Sequence, residues 1–177
     1  MKLIDQLSAD LEKFSTKLIV NLIDAQRETA EKIQQDAKNY SPKPNGEYAD
    51  SIKVSNTEIE GQTIKTFIYT DMKSEDGHFI GRMIENGTGI YALEPHIGHT
   101  TTFRESGYQY WYVPVTDKIK HPIGKVINLY GVDFYVAHGQ RPKPHFKPAL
   151  YNNIQTYKEN LSKAFRRAKW EKQYKVN

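Results

Sequence analysis

His96 and His99 stand three positions apart, with His121 further on, so the first chemistry to weigh is a metal site. On a helix that spacing puts two imidazoles on one face, where they can share a zinc ion. Here the pair falls in Glu94-Pro-His-Ile-Gly-His, a Pro- and Gly-containing stretch with no helical repeat. Spacing brings nothing together in such a stretch, and no carboxylate completes a ligand motif. Neither a metal nor any other cofactor is expected. His138 and His145 flank a proline-rich connector and read as polar packing groups.

Other reaction chemistry is equally sparse. The chain has no cysteine, which removes thiol nucleophiles, disulfides and Cys-ligated zinc, and it has no Gly-x-Ser-x-Gly elbow. Gly87-Thr-Gly89 lacks the lysine and further glycine of a phosphate loop. Glu85 and Glu94 would need opposed environments to act as an acid–base pair, and nothing in their context supplies them. The expectation is a protein that is not an enzyme. One charged cluster remains, at Lys163, Arg166, Arg167 and Lys169, with Trp170 and Tyr174 nearby. These residues could meet phosphates and stack on bases, which makes a nucleic-acid-binding module built on a basic C-terminal helix the alternative reading. Cations at a helix C-terminus also complement its dipole. That reading is preferred, and any DNA contact is expected to be weak and non-specific.

The charge distribution agrees. Of a net +4 over 177 residues, the stretch 158–177 carries seven basic groups against Glu159 and Glu171, so the rest of the chain is close to neutral. Hydrophobic residues at 38% and charged residues at 26% are globular values. Twelve tyrosines suit surfaces that bury against a partner, although they suit ordinary strands as well. The first 14 residues mix charge with apolar positions, and no apolar run reaches the ~18–20 residues of a membrane span. A soluble product of a reducing cytoplasm, with no membrane partner, is expected.

Several elements must carry these residues. Residues 1–41 contain neither Gly nor Pro. Leu7, Leu11, Phe14, Leu18, Leu22, Ala25, Ala30, Ile33, Ala37 and Tyr40 recur mostly at three- and four-residue steps, which predicts one helix over 3–40 ended by Ser41-Pro42. Glu28 and Lys32 add an i,i+4 pair on its polar side. Such a helix is roughly 57 Å long, against a diameter of about 40 Å for a compact domain of this size. It should overhang its own domain, which makes Leu7, Leu11 and Phe14 candidate interface residues.

A strand-rich region, 50–137, follows. Short strands are expected at Ser51–Ser55 and Ile64–Thr70 around Gly61-Gln62, then a short helix near Phe79–Ile84. An extended loop is expected over 90–107, an aromatic strand at Tyr108–Val115, and a hairpin or bulged strand from Val126 to Val136 around Gly131. Arg141-Pro-Lys-Pro is an extended connector. Leu150, Ile154, Tyr157, Leu161, Phe165 and Ala168 predict a closing helix over about 148–170, with Pro148 in its first turn. This order gives an α+β fold, with a long N-terminal helix and a C-terminal helix packed on a small, mainly antiparallel sheet. With no repeat and no linker, one domain over 1–177 is expected.

Three segments also carry a resemblance. Ala37-Lys-Asn-Tyr-Ser-Pro-Lys-Pro-Asn-Gly-Glu-Tyr-Ala-Asp-Ser-Ile contains Pro42, Gly46 and Ser51. Arg82-Met-Ile-Glu-Asn-Gly-Thr-Gly-Ile-Tyr-Ala contains Glu85, Gly87, Thr88 and Gly89. Gly139-Gln-Arg-Pro-Lys-Pro-His-Phe-Lys-Pro-Ala-Leu contains Pro142, Pro144, Phe146 and Pro148. In this order, between two helices, they resemble the gene-product-10-like tail components of siphophages and some myophages, regarded as tail-completion or head–tail joining proteins. Two departures stand out. Asn45-Gly46 replaces the family's Thr-Gly turn, and His145 separates Pro144 from Phe146. The stretch 90–137 is also longer than in minimal members. The resemblance implies a structural virion protein made in the host bacterial cytoplasm, forming a ring of six copies. Its implied neighbours are neck, tail-terminator and tail-tube proteins.

Overall fold

A computed structural model of the chain describes residues 2–42, 46–74, 77–88, 91, 93, 110–116 and 124–169. The α+β expectation holds. The chain divides into two compact units, Met1–Thr70 with His145–Asn177, and Asp71–Pro144. The second unit is a continuous excursion of the chain between two parts of the first.

In the first unit, α1 runs from Lys2 to Tyr40, 39 residues, or about 58 Å of unbroken helix. Ser41 closes it, donating its amide to Ala37 O (3.0 Å) and its hydroxyl to Lys38 O (2.7 Å) before Pro42. α2 (Glu47–Asp50) leads into β1 (Lys53–Val54), which pairs antiparallel with β4 (Ile68–Tyr69). β2 (Glu58–Glu60) and β3 (Thr63–Lys65) form a hairpin across Gly61, whose φ of 60° suits the turn. The two expected strands are thus four short ones. The interruption lies at Ser55 and Phe67: the Ser55 amide donates to Phe67 O (2.8 Å), but the Phe67 amide is met by the Ser55 hydroxyl (2.9 Å) instead of a backbone carbonyl.

The closing helix begins at Phe146, two residues earlier than expected, and is two segments, α4 (Phe146–Asn152) and α5 (Ile154–Arg167). Asn153 marks the break. Its amide makes a tighter bond to Leu150 O (3.1 Å), and its buried side chain donates to Asp36 Oδ2 (2.6 Å) and Ala149 O (2.8 Å).

Packing of this helix differs from the expectation in an instructive way. The apolar stripe Leu150, Ile154, Tyr157 and Phe165 is exposed, and the buried side is Ala149, Asn153, Asn160, Ala164 and Ala168. These small and polar residues face Ala25, Thr29, Ala30 and Asp36 of α1, running antiparallel to it. Asn160 donates to the buried Thr29 hydroxyl (3.1 Å), and Asn21 donates to Ala164 O (3.3 Å). Lys32, expected to pair with Glu28, donates to Thr156 (3.3 Å), while the i,i+4 ion pair is Arg27–Glu31 at 2.9 Å. Small side chains let the two backbones approach, and each buried polar partner left alone would cost about 1–3 kcal/mol. Polar pairing therefore sets the register of the two helices, as apolar packing by itself would not.

The second unit holds α3 (Ile80–Asn86) and a three-stranded antiparallel sheet. Its strands are β5 (Trp111–Pro114), β6 (Lys125–Leu129) and β7 (Val132–Ala137), in the order β5-β7-β6. The expected hairpin around Gly131 is present. Tyr130 and Gly131 both take positive φ (55° and 84°), the pattern of a tight turn that matches strand twist. Asn128 secures the turn, accepting from the Gly131 amide (3.0 Å) and donating to Asp133 (2.7 Å). Most of the loop expected over 90–107 lies outside the described residues.

Candidate assembly surfaces and the motif clasps

The first-motif residues gather around a buried aromatic pair. Gly46, at φ 78°, opens α2, and its carbonyl accepts from the Asp50 amide (3.0 Å). α2 buries Tyr48 and Ala49. Ser51 donates to Tyr48 O (2.7 Å) and shares a 2.7 Å hydrogen bond with the Thr70 hydroxyl. The Tyr48 hydroxyl lies 2.6 Å from Nε2 of His145, with the rings edge to face at 5.3 Å. His145 is completely buried, precedes α4, and packs on Phe146 at 4.5 Å between centroids. Pro148 sits in the first turn of α4, where no intrahelical N–H donor is needed. The residue that departs from the expected Pro-Phe pairing is thus among the most deeply buried side chains of its unit. Sequence reading placed His145 in packing but had no means to find Tyr48, 97 positions away.

A second clasp joins the other motifs within the second unit. Gly87 ends α3 with φ 77° and ψ −179°, a conformation essentially reserved for glycine. The Thr88 amide donates to Gln140 O (2.8 Å), and the Gln140 amide donates back to the Thr88 hydroxyl (2.8 Å). The Lys143 amide donates to Ile84 O (2.8 Å), satisfying a carbonyl in the last turn of α3. A side chain at Gly87 would meet Gln140 O at 2.8 Å and Pro142 Cδ at 2.9 Å. Glu85 is buried in the same helix, Pro144 is exposed at the end of the connector, and Gly89 lies outside the described residues.

Two exposed apolar faces complete the picture, both in the first unit. Burial along α1 fades toward its N-terminus: Ala25, Ala30, Ile33 and Ala37 are buried, Leu18 and Leu22 are half-buried, and Ile4, Leu7 and Leu11 are exposed. Of the candidate interface residues, Leu7 (47% exposed) and Leu11 (54%) present their side chains to solvent, whereas Phe14 is half-covered. The other face is the α4–α5 stripe, where Leu150 (52%) and Phe165 (55%) are equally open. Exposed apolar side chains ranked along a helix face mark interaction sites far more than single ones do.

The family described as "Bacteriophage HK97-gp10, putative tail-component" matches residues 5–87. Residues 5–87 are thus similar to the HK97-gp10-like family. That span runs through α1, the Pro42–Ser51 junction and α3, and ends on Gly87; the connector and closing helix lie beyond it. No curated protein and no solved structure matches the chain. What the match gives for these residues is a phage tail component.

Among the described residues, no group of three or more His, Asp or Glu that could hold a metal ion occurs; His96, His99 and His121 lie outside them. The Tyr112 phenol is pushed above its ordinary value, chiefly by its hydrogen bond with Tyr110 and secondarily by burial. The Tyr112 phenol therefore stays protonated at neutral pH. No helix among the described residues is long and apolar enough to cross a membrane. Lys163, Arg166, Arg167 and Lys169 are all exposed at the end of α5, while Trp170 and Tyr174 fall outside the described residues.

Proposed function

We propose that this chain is a tail-completion, or head–tail joining, protein acting as a ring of identical copies at the end of the phage tail that faces the head. The observation that carries this reading is the continuation of α1, with exposed Leu7 and Leu11, past the part of the helix that its own unit covers. A helix that burial alone would have shortened is kept long when a neighbour covers it. Its neighbours would be neck, tail-terminator and tail-tube proteins, and six copies would match a sixfold tail. The chain performs no reaction and needs no cofactor; its motifs are turns and clasps. Phage lacking the chain should yield filled heads and free tails that do not join, and the purified protein should restore joining in extracts. Normal joined particles made without it would overturn the reading.

The exposed cations of α5 favour one ancillary contact, weak and non-specific, with DNA. About four phosphate contacts predict an affinity that falls roughly a hundredfold between ~50 and ~200 mM salt. Arg166→Ala/Arg167→Ala should flatten that dependence in a duplex titration. Sequence-specific binding that persists at physiological salt would instead promote a nucleic-acid-binding module as the primary role.

A further inference from the structure

In the first unit, α1 and the α4–α5 pair each carry an exposed apolar face, and the charges beside the two faces differ. Near the N-terminus of α1, Asp5, Asp10 and Glu12 accompany Ile4, Leu7 and Leu11, and the cations Lys2, Lys13 and Lys17 lie on either side of that stretch. Along α5, Lys158, Lys163, Arg166 and Arg167 accompany Leu150, Ile154, Tyr157 and Phe165, with Glu159 as the anion. We infer that the N-terminal end of α1 in one copy docks along the exposed α4–α5 stripe of the next copy, in a head-to-tail contact. This rests on the proposed ring and says which surfaces make it.

Three features favour this pairing over its alternatives. Charge decides first: a self-complementary contact through α5 would set one basic helix against another, and like charges across an interface are costly. Between Ile4 and Glu12, α1 carries three acidic residues and no basic one, the opposite sign. Length agrees as well, since the apolar positions from Ile4 to Leu18 span about 21 Å and those from Leu150 to Phe165 about 22 Å, at 1.5 Å per residue. Both stripes repeat at three- and four-residue steps, so side chains of one helix can seat between those of the other. Finally, a contact between two different patches propagates from copy to copy, and it closes into a ring when the rotation per copy allows. A contact joining like patches would stop at a dimer.

The absence of native cysteine makes the contact directly readable. Leu11→Cys, Tyr157→Cys and the double variant are made in phage particles and treated with a short flexible bis-maleimide. The expected result is a ladder of linked chains in the double variant, ending at the ring number, and none in either single variant. Asp10→Lys/Glu12→Lys in the double variant should cut the yield several-fold, and adding Lys158→Glu should recover part of it. Cross-links in a single variant, or none in particles that contain the chain, would overturn the contact and leave the tail role intact. If the chain is absent from particles, the tail reading fails instead. The contact is then judged on concentrated purified protein, where linkage only between the two single variants upholds it and any other pattern rejects it.

Discussion

Gly87→Ala should strip the Asp71–Pro144 unit of its native packing, with a loss of about 3 kcal/mol or more. Two costs combine. The residue holds φ 77° and ψ −179°, where a side chain costs about 1–3 kcal/mol in backbone strain. The new methyl group would also press on Gln140 O at 2.8 Å and on Pro142 N and Cδ at 2.9 Å. Two of these contacts are backbone atoms held by the Thr88–Gln140 pair of hydrogen bonds, so relief requires opening the clasp. Overpacking of that kind adds about 1–3 kcal/mol. Against a whole stability of about 5–15 kcal/mol, this is a large fraction. Gly61→Ala is the control, because Gly61 also has positive φ (60°) but nothing within 4 Å of an added methyl. It should cost only the turn strain. Thermal melts and limited proteolysis within Asp71–Pro144 read both variants; equal resistance in Gly87→Ala and wild type would show that the clasp does not hold the unit together.

That clasp was only partly legible. A glycine in Glu-Asn-Gly-Thr reads as a turn, but its partner strand of chain, Gln140 to Lys143, is set by pairing between distant segments that no local pattern reports. By contrast, α1 was legible because 41 residues without Gly or Pro and with one stepping stripe leave few other options. The Gly131 hairpin was legible for the matching reason, alternation on both sides of a turn glycine. The closing helix misled. Sequence reading assumes that the largest apolar residues point inward, which would bury Leu150, Ile154, Tyr157 and Phe165. Close approach of two helices instead selects Ala149, Asn153, Asn160 and Ala164, with polar side chains satisfied across the seam. Leu150, Ile154 and Phe165, each one position further along, are thereby turned outward. An apolar stripe next to a small-residue stripe on one helix can thus signal two partners, one within the chain and one outside it.

Leu7→Gln/Leu11→Gln should leave the fold of the chain nearly unchanged and abolish joining of heads to tails. Both side chains are about half exposed on a helix whose fully buried stretch begins further along, at Ala25, Thr29 and Ala30. Substitutions at exposed positions usually change stability by about 0.5 kcal/mol or less, and Gln is a good helix former, so α1 itself should persist. The effect on assembly runs the other way. Full burial of an exposed leucine contributes roughly 1.5–3 kcal/mol and these two are half exposed, so losing both weakens each contact by about one to two orders of magnitude, repeated at every junction of a ring. Ile33→Gln supplies the contrast, since Ile33 is buried against the rest of its unit and should lower the melting temperature by several degrees. Melting curves are recorded beside an in-vitro joining assay for all three proteins. A Leu7/Leu11 variant that melts as low as Ile33→Gln would mean that the end of α1 belongs to the monomer's own core. One that melts normally and still joins heads to tails would remove α1 from the interface altogether.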